Sequence, residues 1–307
     1  MLKAVMKYGN VAAKVRAMFG RALTAHDWQR LCTARDLPEL AVMLHSMPGW
    51  AYAVSKLPAG AANAGTLVPA IRAQIRNEDE RLYRLASRED KKYLDFAVCR
   101  VEYLQILYHL RRLIATSRIA TSRYVAPEEI PEFVLKRSKM DFPVLMSATN
   151  ISDVAYSARS TIFGDILSNA DLSDYAVISV LLENKYYSAV YEFLQKEYSG
   201  ISKALLTRSV GMEADMLNIM HVLRMIRFFP GSLDQTPLIP IKQNLNRKFM
   251  ERLVTAGSEE AALALLMPTR WRFFAEDQSP GGLERRFNQV MEDFYRKLIR
   301  EIGRAHV

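Results

Sequence analysis

From Met212 to Arg227 the chain reads MEADMLNIMHVLRMIR, and at about 100° per residue apolar side chains reach every side of the helix it spells. Met216, Leu217, Ile219, Met220, Val222, Leu223, Met225 and Ile226 leave no polar face, the pattern of a helix buried among others. Yet a polar group stands at every third position, at Asp215, Asn218, His221 and Arg224. A buried helix keeps such groups only where neighbouring segments satisfy them. A second stretch, Glu102–Arg111, EYLQILYHLR, carries the same order. Glu102, Gln105, Ile106, Leu110 and Arg111 match Asp215, Asn218, Ile219, Leu223 and Arg224 in one ungapped register, which predicts an internal repeat.

The rest of the chain reads as helices with recognisable starts. Residues 3–22 form an amphipathic helix with Val11, Val15 and Met18 on one side. Thr24 and Asp27 read as a capping box opening a second helix, and Asp36-Leu37-Pro38-Glu39 opens a third. A small-residue loop spans Pro58–Gly65, and the helical pattern resumes from Pro69 to Leu113. Residues 114–149, with Pro127, Pro131 and Pro143, read as a repeat boundary. Asn150-Ile151-Ser152-Asp153 then echoes the Asp36 cap at nearly the same offset as the helix repeat. A helix from Leu181 through Leu194 precedes the Met212 helix, which stops at Phe229-Pro230-Gly231. Pro237 and Pro240 mark a second boundary, Ser258 caps a further helix, and Trp271 follows it as Trp50 follows Asp36. No strand is predicted. The expectation is an all-α protein of three similar blocks, 1–120, 121–236 and a partial 237–301.

Composition narrows this only a little. Of 307 residues, 50% are hydrophobic and 24% charged, as in a globular chain. No run is long and apolar enough to cross a membrane, and the basic start lacks the apolar core of a secretory signal. Cys32 and Cys99 fall within helical patterns and read as two core thiols in a reducing compartment. The formal net charge of +9 points to an acidic partner, whether nucleic acid, a lipid surface or another protein.

Candidate chemistry is sparse. The chain has no GxxxxGK[ST] loop to cradle phosphates and no GxGxxG after a strand. His26, His45, His109 and His221 are scattered, with no carboxylate partner at metal-ligand spacing, and His221 reads as a satisfied core imidazole. Asp215 and Arg224 are nine residues apart and so point to opposite faces of their helix, away from any shared substrate. The sequence therefore predicts no catalytic, cofactor-binding or metal-binding residue. Arg111-Arg112 and Arg285-Arg286 would suit a helical nucleic-acid binder, but acids intersperse with them and no nucleic-acid motif is present.

Taken in order, the segments resemble the C-type subunit family of V/A-type (vacuolar/archaeal-type) rotary ATPases, whose eukaryotic counterpart is the d subunit. The resemblance is carried by Tyr8, Ala13-Lys14-Val15-Arg16-Ala17, then Leu23-Thr24 with Asp27-Trp28 and Leu31. It continues in Leu182-Glu183-Asn184-Lys185-Tyr186-Tyr187 and in Asp215, Asn218, Ile219, Leu223 and Arg224. Ala12 and Lys14 depart from the family's usual Asn and Arg, and the last block ends before its signature helix. The resemblance implies a funnel of three helical blocks about a pseudo-threefold axis. Such a protein is a non-catalytic central-stalk socket on the cytoplasmic side, without cofactor. Its partners are the membrane rotor ring of c/K subunits and central-shaft subunits of D/F type. It makes no nucleic-acid contact and meets the membrane only through the ring.

In such a protein, basic side chains should line the faces that meet acidic loops of these partners. Arg111 and Arg224 should each lie near a helix C-terminus, bonded to its last carbonyls or to a carboxylate of the next block. Ile302–Val307, IGRAHV, reverse-translates with a following stop to a common sequencing adapter, so 302–307 are expected to be a non-native tail. A third signature helix would then fall at roughly position 323 of the native chain.

Overall fold

The computed structural model describes residues 2–57, 60, 62–118, 130, 132–169, 175–228, 238–241, 243–279 and 281–304. Pro58, Pro127, Pro131, the Phe229–Gly231 stop, Pro237, the boundaries at 120/121 and 236/237, and Ala305–Val307 lie outside these residues. Among the described residues there are helices and no strands, so the fold is all-α.

In chain order the helices are α1 (Leu2–Phe19), α2 (Ala25–Leu31), α3 (Leu37–His45), α4 (Ala51–Ser55), α5 (Ala64–Leu85) and α6 (Arg88–Arg118). Then come α7 (Glu132–Leu135), α8 (Phe142–Ser147), α9 (Ile151–Ser157), α10 (Gly164–Asn169), α11 (Tyr175–Glu197) and α12 (Gly200–Phe228). The series ends with α13 (Arg247–Val254), α14 (Glu259–Leu266), a 3-10 turn at Arg272–Phe274, and α15 (Gly282–Arg304). Short capped helices recur ahead of α5, α11 and α15. Thr24, Asp141 and Asn246 accept the N3 amide of α2, α8 and α13. Asp36, Asn150 and Ser258 do the same for α3, α9 and α14. Each cap is worth about 1 kcal/mol, enough to fix where its helix begins.

The helical pattern from Pro69 to Leu113 holds two helices, α5 and α6. Ala86 is extended (φ −71, ψ 149), and Ser87 then caps α6 by accepting the Asp90 amide at 3.1 Å. The Ser87 hydroxyl also donates to the Asp90 carboxylate at 2.5 Å. A serine with an acid three residues on is a start signal that outweighs the continuing apolar period.

Contacts divide the chain into two compact units, Met1–Thr161 and Ile162–Val307. In the first, Leu31, Leu44, Met47, Val54 and Leu67 form a core between α2–α4 and α5, while α6 packs on α9. In the second, α12 is the axis, in contact with α11, α14 and α15. Its Met216, Ile219 and Leu223 meet Leu253, Leu266, Trp271 and Phe274. Two ion pairs set α15 antiparallel to α12: Arg224 with Glu284 at 2.7 Å and Arg208 with Glu301 at 2.6 Å.

The cysteines depart from expectation. Cys32 is exposed and Cys99 half-buried. Cys32 follows the last residue of α2, where the chain leaves the packed stripe that Leu31 occupies. Burial, with Glu102 and Asp95 nearby, pushes the Cys99 thiol up to about 12, so it stays protonated.

Candidate functional site

The chain's concentrated buried polarity lies on α6 and α12. On α12 every residue from Ser209 to Leu223 except Glu213 is buried, Asp215 completely. The Asp215 carboxylate accepts three backbone N–H groups of the segment returning after α12. Gln243 donates at 3.1 Å, Asn244 at 2.5 Å and Leu245 at 3.3 Å. One turn on, Asn218 reads Ile239 from both sides, donating to its carbonyl at 3.0 Å and accepting its amide at 2.8 Å. Asn184 of α11 adds a bond to the Leu238 carbonyl at 2.9 Å. Burial pushes the Asp215 carboxyl above its usual range, against the pull of the three N–H groups.

Gly211 makes this approach possible. A Cβ there would meet the Gln243 Cβ at 2.8 Å, a stiff atom next to the clamped backbone. Gly211→Ala gains about 1 kcal/mol of helix propensity but overpacks the contact by about 1–3 kcal/mol and lifts the segment off Asp215. A net loss of up to ~2 kcal/mol in urea unfolding is expected; a more stable variant would show that the segment yields freely.

On α6 the corresponding stripe is Glu102, Gln105, His109 and Arg112. Glu102 accepts from the Ser138 hydroxyl at 2.6 Å and the Lys139 amide at 3.2 Å. Burial raises its pKa, while these two bonds act the other way. Gln105 is buried with its Oε1 unbonded among the described residues. His109 has no exposed surface and neither ring nitrogen is bonded there. Arg112 donates to the Ala148 carbonyl at 2.8 Å.

The two predicted arginines differ. Arg224 is four residues from the end of α12 and pairs with Glu284. Arg111 is exposed and seven residues short of the end of α6, and its neighbour Arg112 makes the interhelical bond. The signal was there to read: Arg112, not Arg111, continues the spacing of Glu102, Gln105 and His109 along one helical face. Glu183, which the sequence did not join to His221, lies 2.6 Å from its Nε2, so α11 supplies the carboxylate that linear spacing concealed.

Arg224→Ala removes a pair whose side chains are 36% and 52% exposed. The loss should therefore be under about 1 kcal/mol, read as a small shift of the unfolding midpoint. A loss above ~2 kcal/mol would mean that the pair is shielded in a way its exposure denies.

Chemically, each stripe clamps backbone of the protein's own chain, through Asp215 and Asn218 on α12 and through Glu102 and Arg112 on α6. Among the described residues no three His, Cys, Asp or Glu side chains gather as metal ligands would. Over residues 11–302 the chain matches the family model described as ATP synthase (C/AC39) subunit. The chain belongs to that family. Among curated proteins none matches it. The C/AC39 match spans both compact units and every helix carrying a buried acid, so the clamps at Glu102 and Asp215 are features of a C/AC39 chain. No described helix of this C/AC39 chain is long and apolar enough to cross a membrane.

Proposed function

We propose that this chain is a non-catalytic central-stalk component of a V/A-type ATPase or synthase, a socket that couples the shaft to the membrane rotor ring for ion transport. The observation that carries the reading is the C/AC39 match along nearly the whole chain. The buried polar groups support it, because Asn218, Asp215 and Glu102 hold backbone segments in place. A part that transmits torque needs stiff joints between helices, and clamped loops supply them. On this reading the blocks are 1–120, 121–236 and 237–301, and Glu102, Gln105, Asp215, Asn218 and Arg224 are their structural signature, with Arg112 in the place expected of Arg111. The partners are the c/K ring and shaft subunits of D/F type. The chain lies on the cytoplasmic side, peripheral to the membrane, and its basic excess faces acidic loops.

The test is reconstitution. The purified chain should co-sediment with detergent-solubilised ring and bridge it to shaft subunits, with no ATP hydrolysis of its own. Failure to bind either partner, together with steeply salt-dependent DNA binding, would replace the socket with a nucleic-acid binder.

A further inference from the structure

We propose that the corner where α5 ends, α6 begins and α7 packs is a docking surface for an acidic polypeptide segment carrying an apolar side chain. The proposal rests on this corner's own geometry and holds whether or not the chain is a rotary socket. Two cations converge on one ring there. Arg137 Cζ lies 4.2 Å from the Tyr83 centroid and Lys91 Nζ lies 5.4 Å from it. Phe133, which is buried, holds the ring edge-on at 5.1 Å, and Arg137 also stacks on Phe133 at 4.4 Å. The guanidinium is thus fixed before any partner arrives, its direction set further by a bond to the Phe133 carbonyl at 3.3 Å.

Charge pairing sets this corner apart from its surroundings. Arg81 pairs with Glu78, Arg84 with Glu80 and Lys136 with Glu132. Among the described residues, Arg88, Lys91 and Arg137 meet no carboxylate within ion-pair distance. Asp90, in the same turn as Arg88, is engaged by the Ser87 cap. Gathering like charges costs Coulomb energy that an incoming carboxylate recovers, and the N-terminal dipole of α6 acts in the same sense. Leu85 is 42% and Leu135 50% exposed, and they are the last residues of α5 and α7, so each brings apolar surface to a helix end at this corner. An arginine stacked on a tyrosine joins two residue types enriched in protein hot spots, and a preorganised guanidinium suits the fork of a carboxylate. That favours a polypeptide over a lipid surface.

Fluorescence anisotropy of the full-length chain with a labelled peptide of glutamates interrupted by leucines tests this. Arg88→Glu with Arg137→Glu should weaken binding about tenfold or more at low salt. Arg88→Glu alone, at an exposed position outside the packed ring, should weaken it about threefold and keeps the test valid if the double variant unfolds. Leu135→Ser should weaken it as well. Arg247→Glu with Arg296→Glu, the same change in net charge elsewhere, should leave it unchanged. No binding by the natural sequence, equal loss in the control variant, or no effect of Leu135→Ser would overturn the proposal. So would vesicles rich in phosphatidylserine binding in an Arg88-dependent way while the peptide does not.

Discussion

Asp215→Ala is expected to destabilise the Ile162–Val307 unit by about 3–5 kcal/mol, a larger cost than any other single polar truncation proposed for this chain. Three backbone amides, at Gln243, Asn244 and Leu245, lose the carboxylate that accepts them at once. Asp215 has no exposed surface, so water does not cheaply refill the gap left by alanine. Asp215→Asn should cost less, about 1–2 kcal/mol. It keeps one acceptor oxygen and removes a charge that burial already disfavours, as the raised pKa of Asp215 records. Urea unfolding followed by the fluorescence of Trp271, which is buried in the core packed on α12, reads the difference. Hydrogen exchange at Gln243–Leu245 should accelerate in step. If alanine proved no worse than asparagine, the carboxylate would not be what holds the returning segment.

Much of the fold was legible in the chain, and the parts that were not share a cause. Local signals served well: Thr24, Asp36, Asn150 and Ser258 each cap a helix, because a cap is written within four residues. The all-round apolar Met212 stretch lies on a helix buried through most of its length, since only a core accommodates that pattern. What the polar groups on it were for was invisible. Asp215 and Asn218 bind backbone, and backbone partners at Ile239 and Gln243–Leu245 carry no side-chain signature. Glu183 and His221 meet because α11 and α12 pack together, and the distance between them along the chain hides that. The Arg111 expectation failed by one residue because it followed the matched letters of the repeat rather than the helical face.

Acid should destabilise the first unit through His109. Desolvation, with Arg112 adding repulsion, lowers its folded pKa from 6.5 to about 4. In the unfolded chain the imidazole titrates near its ordinary value of roughly 6.5. Above that pH the ring is neutral in both states and adds no proton-linked cost. Below it the unfolded chain takes up a proton that the folded chain refuses, so stability falls until the folded ring titrates near about pH 4. The full loss over that window is about 3 kcal/mol. Glu102, on the same helix face, works in the opposite sense, because burial raises its folded pKa and its protonation at low pH relieves a buried charge. The two effects overlap in the natural chain, so the comparison that isolates His109 is with His109→Phe. Phenylalanine fills a similar volume beside Tyr108, whose ring stands edge-on to His109 at 5.2 Å, and it removes two nitrogens that have no partner among the described residues. At pH 7 the variant should match or slightly exceed the natural chain in stability. Between roughly pH 6.5 and 4 it should gain on it steadily, to about 3 kcal/mol. Parallel curves across that range would mean that the imidazole is solvated or bonded in solution.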